Sequence, residues 1–283
     1  MIRVGGVPEH FNLPWHMGLE NGAFTDAGLE VSYTDYPGGT GALTRALESG
    51  ELDVALVLSE GITASILNGN PAKIIACWVE SPLIWGIHTG AKSTVESLEQ
   101  MGGKRYAISR FGSGSHLMAI VDAAQRGIEI DDKQFVKVGN LEGAREALGK
   151  GEAELFLWEK FMTKPLVDAG EFRRIGESLT PWPCFMAATP EAFLQKNNEA
   201  LHTVLDIAQQ QAKKLMDDPS APGTIAERYG LLVDDAREWF GETRWCQDFD
   251  MPEEALRKVI ISLNNLGIID RPKAKPDDVF SRI

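Results

Sequence analysis

Ala46-Leu47-Glu48-Ser49-Gly50-Glu51-Leu52-Asp53-Val54-Ala55 is the stretch on which the fold of this chain turns. Leu43, Ala46 and Leu47 keep helical spacing, and Gly50 closes the helix they predict. A run over residues 52–58, apolar except for Asp53, follows and reads as a strand covered on both faces. The same phrase returns 101 residues further on as Ala147-Leu148-Gly149-Lys150-Gly151-Glu152, again ahead of an apolar strand, Leu155-Phe156-Leu157-Trp158. Helix, glycine stop and buried strand make an α/β joint. Two copies and not many predict two lobes on one plan, and exclude a solenoid.

Working outward from the first copy, residues 2–7 read as a buried strand that ends at Pro8. Glu9-His10-Phe11-Asn12 is a loop, residues 13–21 a helix stopped by Gly22, and residues 28–33 a second strand. Pro37-Gly38-Gly39-Thr40-Gly41 is a glycine-rich turn opening the helix 42–48. After the apolar strand come Ser59-Glu60-Gly61, a helix over 62–67, a strand over 72–79, and then Glu80-Ser81. This alternation predicts a parallel sheet, whose ligands sit beyond the carboxyl ends of the strands. Each of the loops just named lies at such an end.

Around the second copy, a strand over 105–108 leads into Ser109-Arg110-Phe111-Gly112-Ser113-Gly114-Ser115 and a helix over 116–125. A strand over 135–138, a helix over 141–148 and the apolar strand ending at Glu159 complete this part. Residues 82–89 and 185–189 are expected to carry the chain across and back. Two crossings make a hinge, and a hinge between α/β lobes makes a cleft that shuts on a ligand. The expected division is lobe one at 1–85, lobe two at 86–187, and a return to lobe one with a helical tail at 188–283. That tail reads as helices over 191–196, 199–216, 224–229, 234–240 and 252–266, packed on the first lobe. Residues 273–283 read as a peripheral tether.

The chain has 283 residues, 43% hydrophobic and 24% charged, which is a globular composition. A formal net charge of -13 argues against nucleic acid and anionic membrane as partners. Cys77, Cys184 and Cys246 are odd in number and widely spaced, so neither a disulfide framework nor a metal cage is predicted. No leader pattern opens the sequence, and no apolar run spans a bilayer. The expectation is a cytoplasmic protein if Met1 is the native start, and a periplasmic or extracellular one if a leader has been removed.

These features resemble the type 2 periplasmic binding proteins. Within that superfamily the chain is similar to the branch shared by nitrate, sulfonate and taurine binding proteins and by thiamine-pyrimidine synthases. The resemblance is carried by Ile2-Arg3-Val4-Gly5-Gly6, Gly18-Leu19-Glu20-Asn21-Gly22-Ala23-Phe24, Gly28-Leu29-Glu30-Val31, Gly38-Gly39-Thr40 and the opening phrase of this section. It implies an α/β fold of two lobes, each a mixed sheet flanked by helices, with the helical tail on lobe one. It covers residues 1–190 well and the tail loosely. Transporter-feeding members begin with a leader, so the chain resembles leaderless cytosolic relatives more. The cysteine-rich signature of the pyrimidine synthases is missing.

The serine- and glycine-rich turn from Ser109 to Ser115 has two readings. Its amides and hydroxyls, with Arg110, form one wall of a site for an anionic or polar group. Alternatively, Ser113 or Ser115 simply caps the helix. Carried onto matching positions, the family's cleft would be lined by Glu9, His10, Phe11, Gly39, Thr40, Ser59, Glu60, Glu80 and Ser81. Arg110, Ser113, Gly114, Ser115, Trp158, Glu159 and Trp182 would complete it. Thr40 and Ser113 to Ser115 would hold an oxyanion or ring carbonyl, and Trp158 and Trp182 would stack on the ligand body. Glu9, Glu60, Glu80 and Glu159 are acceptors, which favours a ligand with donors or positive charge over a bare nitrate or sulfonate.

No nucleophile elbow, metal-binding histidine pair or P-loop is present in the sequence. The leading expectation is therefore a solute-binding protein without cofactor, metal or catalytic residues. Its partners would be a small molecule and either a transporter permease or a cytosolic protein. The alternatives are a pyrimidine-synthase-like enzyme using His10 or His116 on a bound cofactor, and a cytosolic ligand sensor.

Overall fold

Gly50 and Gly151 end their helices by the same hydrogen bonds. Both are left-handed, with φ of 74° and 68°, a region open to glycine at little steric cost. The Gly50 amide donates to the Leu47 carbonyl at 3.2 Å, and the Gly151 amide to the Leu148 carbonyl at 3.2 Å. The next amide reaches back in each copy, Glu51 to Ala46 at 2.9 Å and Glu152 to Ala147 at 2.8 Å. This satisfies carbonyls at the helix end and turns the chain into the following strand.

The structure, a computed structural model, describes residues 1–249 and 252–283. Among the described residues the strands are β1 (Ile2–Gly6), β2 (Val31–Asp35), β3 (Val54–Leu58), β4 (Ala72–Val79), β5 (Ile84–Gly90), β6 (Tyr106–Ile108), β7 (Phe135–Lys137), β8 (Leu155–Glu159), β9 (Phe172–Leu179) and β10 (Phe185–Pro190). The α-helices are α1 (Leu13–Glu20), α2 (Ala23–Asp26), α3 (Thr40–Ser49), α4 (Ser59–Leu67), α5 (Gly114–Gln125), α6 (Leu141–Lys150), α7 (Lys164–Asp168), α8 (Glu191–Met216), α9 (Ala221–Tyr229), α10 (Val233–Glu242), α11 (Glu253–Asn265) and α12 (Pro276–Val279).

Two compact units result. Unit one is Met1–Pro82 with Pro181–Ile283, and unit two is Leu83–Thr180. Unit one holds a five-stranded sheet in the order β2-β1-β3-β10-β4, and unit two one in the order β7-β6-β8-β5-β9. In unit one β1 is parallel to β2 and β3, and β10 runs antiparallel to β3 and β4. In unit two β6 is parallel to β7 and β8, and β5 runs antiparallel to β8 and β9. Both sheets are mixed, on one plan. The segments expected as crossings are thus largely strands. Residues 185–189 fall in β10 and residues 84–89 in β5, each the fourth strand of its sheet. Apart from Ile84 and Pro190 at the strand ends their apolar residues are buried, and strands pair on both sides of each.

An ion pair recurs with the repeat. The Arg3 amide donates to Asp53 Oδ2 at 2.8 Å, and its guanidinium donates to both carboxylate oxygens at 2.9 and 2.6 Å. In unit two the Arg105 amide donates to Glu154 Oε2 at 2.9 Å, and its guanidinium to both oxygens at 3.2 and 2.6 Å. Each pair sits at the entry of two neighbouring parallel strands, β1 with β3 and β6 with β8, and fixes their register.

The core of unit one contains the fully buried Trp15, Trp78, Trp239 and Trp245. Trp78 and Trp245 both donate their indole N–H to the Phe11 carbonyl, at 3.2 and 2.8 Å. In the tail, α8 packs on α1 and α11 on α4. The long α8 is irregular at Asn197, with φ -131°, at the break expected between two helices. Residues 273–283 do more than tether. Phe280 makes a parallel bridge to Ile74, and the Ser281 amide donates to the Ile74 carbonyl at 3.0 Å. Trp245 bridges Val79 antiparallel. The outer edge of β4 is therefore covered at both ends, which removes a template for strand addition. Among the described residues, no helix is long and apolar enough to cross a membrane.

Candidate functional site

The loops at the carboxyl ends of β1, β2 and β3 in unit one carry Glu9, His10, Phe11, Gly39, Thr40, Ser59 and Glu60 of the expected site residues. They do not all do the same thing. Glu9 is half-buried, and loss of hydration pushes its carboxyl up to about 7. His10 is fully buried, stacked on Trp239 with ring centroids 4.0 Å apart. Both of its ring nitrogens lack a hydrogen-bond partner, and burial pushes its pKa down to about 3. It is a neutral ring packed as an aromatic. Phe11 is core too, packed on Phe185 and Trp239.

Gly39 and Thr40 open α3. Gly39 has φ 65° and ψ -164°, a conformation essentially reserved for glycine. No side chain caps this helix. Thr40 Oγ1 accepts from the Leu58 amide at 3.2 Å, which ties the turn to the end of β3. Ser59 and Glu60 begin α4, which also has no side-chain cap. The Ser59 hydroxyl donates to the Pro183 carbonyl.

Glu60 is 1% exposed. Its Oε2 accepts from the Trp182 indole N–H at 2.9 Å, while Oε1 has no hydrogen-bond partner. Burial raises its carboxyl to about 6, and bonds from its own amide and the Trp182 indole pull the other way. Trp182 is itself buried, so it holds Glu60 in place. The first turn of α4 thus carries a dehydrated acceptor with one oxygen unused. An unsatisfied buried acceptor is expensive, and a donor brought to Oε1 recovers that loss.

Glu80 and Ser81 lie beyond the end of β4, where the Ser81 carbonyl accepts from the Cys184 amide at 3.1 Å and the Cys184 carbonyl accepts from the Ser59 amide at 3.1 Å. Glu80 is exposed, and its amide donates to the Arg244 carbonyl at 2.9 Å. Ser81 Oγ accepts from the Arg244 amide at 3.2 Å. Both line a cavity of about 500 Å³ with Cys77, Arg244, Cys246 and Asp248.

In unit two, the turn before α5 brings Arg110, Ser113, Gly114 and Ser115 together. Ser113 is the N-cap, accepting from the His116 amide at 3.3 Å and donating to the Arg110 carbonyl at 2.7 Å. Ser115 Oγ accepts from the Ser109 amide at 3.0 Å and lies 3.0 Å from Ser113 Oγ. The hydroxyls are thus engaged within the turn. Arg110 is half-buried. Trp158 is half-buried and stacked on Phe156 at 5.2 Å. Glu159 is buried and accepts from the Met162 amide at 2.6 Å. His116 accepts from the Gly112 amide at Nδ1, 3.0 Å, which puts its proton on Nε2.

Sequence reading gave no role to Tyr33 or Tyr229, whose buried hydroxyls lack partners. It also left Arg244 and Asp248 unassigned. Arg244 follows α10 in a polar stretch, with no local pattern to mark it. Among the described residues no cluster of three or more side chains suited to a metal ion occurs.

A family model described as Ca3427-like PBP matches residues 85–178, within unit two. Among solved structures, the Candida albicans CA3427 gene product is described as defining a new family with the generic periplasmic binding protein fold. It is 27% identical, with a TM-score of 0.90 over 99% of this chain and 93% of that one. The chain has the type 2 periplasmic-binding-protein fold. The alkanesulfonate-binding protein SsuA from Xanthomonas axonopodis pv. citri, bound to MOPS, shares this fold with 15% identity and a TM-score of 0.82, over 100% of this chain and 98% of that one. The periplasmic aliphatic sulphonate binding protein SsuA from Escherichia coli shares the fold with 14% identity and a TM-score of 0.70, over 99% and 91%. Comparison with curated proteins finds no match. In this type 2 binding fold, Glu60 and the uncapped helices α3 and α4 stand at the strand ends where ligands of open α/β sheets bind.

Proposed function

We propose that this chain is a solute-binding protein whose ligand is a small polar or heterocyclic molecule carrying an N–H or ammonium donor. The observation that carries this reading is Glu60, a buried carboxylate with Oε1 unpartnered at the start of α4. Thr40, Ser59 and Trp182 hold the surrounding turns in place. Uncapped amides at α3 and α4 suit a second, electronegative group on the same ligand. MOPS, bound by the Xanthomonas relative, joins a ring amine to a sulfonate, and a ligand of that doubly functional kind offers both groups.

Calorimetry with a pyrimidine amine, polyamines, taurine and MOPS tests the reading. Ligands with a donor nitrogen should bind, and Glu60→Gln should weaken them about tenfold or more. Binding of a cationic ligand should strengthen as pH rises through about 6, where the Glu60 carboxyl ionises. Tight binding of an alkyl sulfonate lacking nitrogen, with no response to amines or heterocycles, would sink it.

A further inference from the structure

The cysteines, far apart in sequence, gather at β4, and two of them meet each other. In β4, Val79 pairs with Phe185 and Cys77 with Met186, so Trp78 is one residue too many for the partner strand. Such a bulge reverses the alternation of side chains, and Cys77 and Val79 point to opposite faces of the sheet. Val79 bridges Trp245, which therefore shares its face, and Cys246, the next residue, takes the face of Cys77. The surroundings agree. On one face the Trp78 and Trp245 indoles both donate to the Phe11 carbonyl. On the other, Cys77 and Cys246 line one cavity. The Cys246 amide donates to the Trp78 carbonyl at 3.1 Å, which holds the two cysteines at neighbouring positions. Cys184 is fully buried and turns its Sγ to the Val79 carbonyl at 3.9 Å instead.

The Cys77 and Cys246 thiols hydrogen-bond to each other. That bond, then burial, then the Glu80 and Asp248 carboxylates push the Cys246 thiol far up. We propose that Cys77 and Cys246 are a reversible modification site, closed to a disulfide by exchange with a small disulfide of the glutathione class. One cysteine thiolate attacks a sulfur of the small disulfide, whose S–S bond breaks and releases a thiol. The second thiolate displaces the other small thiol and forms the Cys77–Cys246 bond. Two protein thiols are oxidised, one small disulfide is reduced to two thiols, and the cysteine protons pass to them. Sulfurs in hydrogen-bond contact need only side-chain rotation to reach a bond of about 2 Å. The bond closes a loop of about 170 residues and locks the segment after α10 onto the outer edge of β4. With the Cys246 thiol held protonated, exchange is slow at neutral pH. The pair is thus a lock set by the prevailing thiol–disulfide ratio, not a fast sensor.

Incubating the folded full chain in a roughly tenfold excess of oxidised over reduced glutathione, followed by alkylation and peptide mapping, tests this. A Cys77–Cys246 linked peptide should form and should disappear with dithiothreitol, while Cys184 stays a free thiol. Cys184→Ser should keep the link, and Cys77→Ser and Cys246→Ser should each abolish it. The Glu80 and Cys246 amides, which bond the two segments together, should exchange hydrogen at least about tenfold more slowly in the oxidised chain than in the reduced one. The proposal is overturned if the folded chain stays reduced, if the link forms only in denaturant, or if Cys184 takes part in it. It is equally overturned if exchange at those two amides is the same in both states.

Discussion

The two units repeat each other in their joints and part company at their loops. The Arg3–Asp53 and Arg105–Glu154 staples have the same donors and acceptors, yet Asp53 is 6% exposed and Glu154 27%. The helix ends at Gly50 and Gly151 are matched bond for bond. At the opposite helix ends the likeness fails. In unit two, Ser113 caps α5 and Asn140 caps α6 by accepting from the Gly143 amide at 3.0 Å. In unit one, Gly39 precedes α3 and Leu58 precedes α4, with no side-chain cap on either. In unit two the starts of α5 and α6 are capped by side chains, and in unit one the starts of α3 and α4, close to a dehydrated carboxylate, are not. What builds the sheet has been kept, and the starts of the strand-end helices have diverged.

The staples give the strongest way to break this comparison. Arg3→Ala removes both side-chain donors from a buried carboxylate, which keeps the residue-3 amide, and should lower stability by about 2–3 kcal/mol in urea unfolding. Arg105→Ala leaves an accessible carboxylate that keeps the residue-105 amide, and should lower it measurably less. Equal losses would show that burial does not separate the copies.

Glu60 gives the next effect, with the opposite sign. Its folded pKa is raised from 4.5 to about 6, so protonation favours the folded state. The resulting stability is complete below about pH 4.5 and is lost as pH rises through about 6. Glu60→Gln should therefore stabilise the chain by about 2 kcal/mol near neutral pH and by almost nothing near the unfolded carboxylate pKa. Melting curves across that window read it directly.

Gly39→Ala should destabilise by about 1–2 kcal/mol, because its backbone conformation excludes a Cβ even where space is free. Smallest is Ser113→Ala, about 1 kcal/mol, the loss of a helix cap. If Ser113→Ala instead abolished binding of an amine ligand and left stability unchanged, unit two would carry the contact proposed for unit one.

The sheet plan was legible because its joints are local. Gly50 and Gly151 announce themselves within a few residues, and the apolar runs of β3 and β8 leave little choice of structure. β9 was not legible. Phe172-Arg173-Arg174-Ile175-Gly176-Glu177-Ser178-Leu179 carries charges suited to a sheet edge, and only its pairing with β5 makes it a strand. Likewise β10 read as a connection, since its partners β3 and β4 lie more than a hundred residues earlier in the chain. At the site, Thr40, Ser59 and Glu60 follow from strand-end position. The burial of His10 does not, because Trp239 and Tyr229, which close over it, come from the far end of the chain. The sequence motif around Ser113 fitted both a ligand wall and a cap, and the structure shows the serine capping α5.

The placement of β10 sets an order for synthesis. Every strand of the second sheet lies between Leu83 and Thr180, so a ribosome has delivered all of it once that segment has emerged. The first sheet, begun by the opening residues, stays split between β3 and β4 until Phe185–Pro190 arrives to join them. The half of the protein made first is thus finished last.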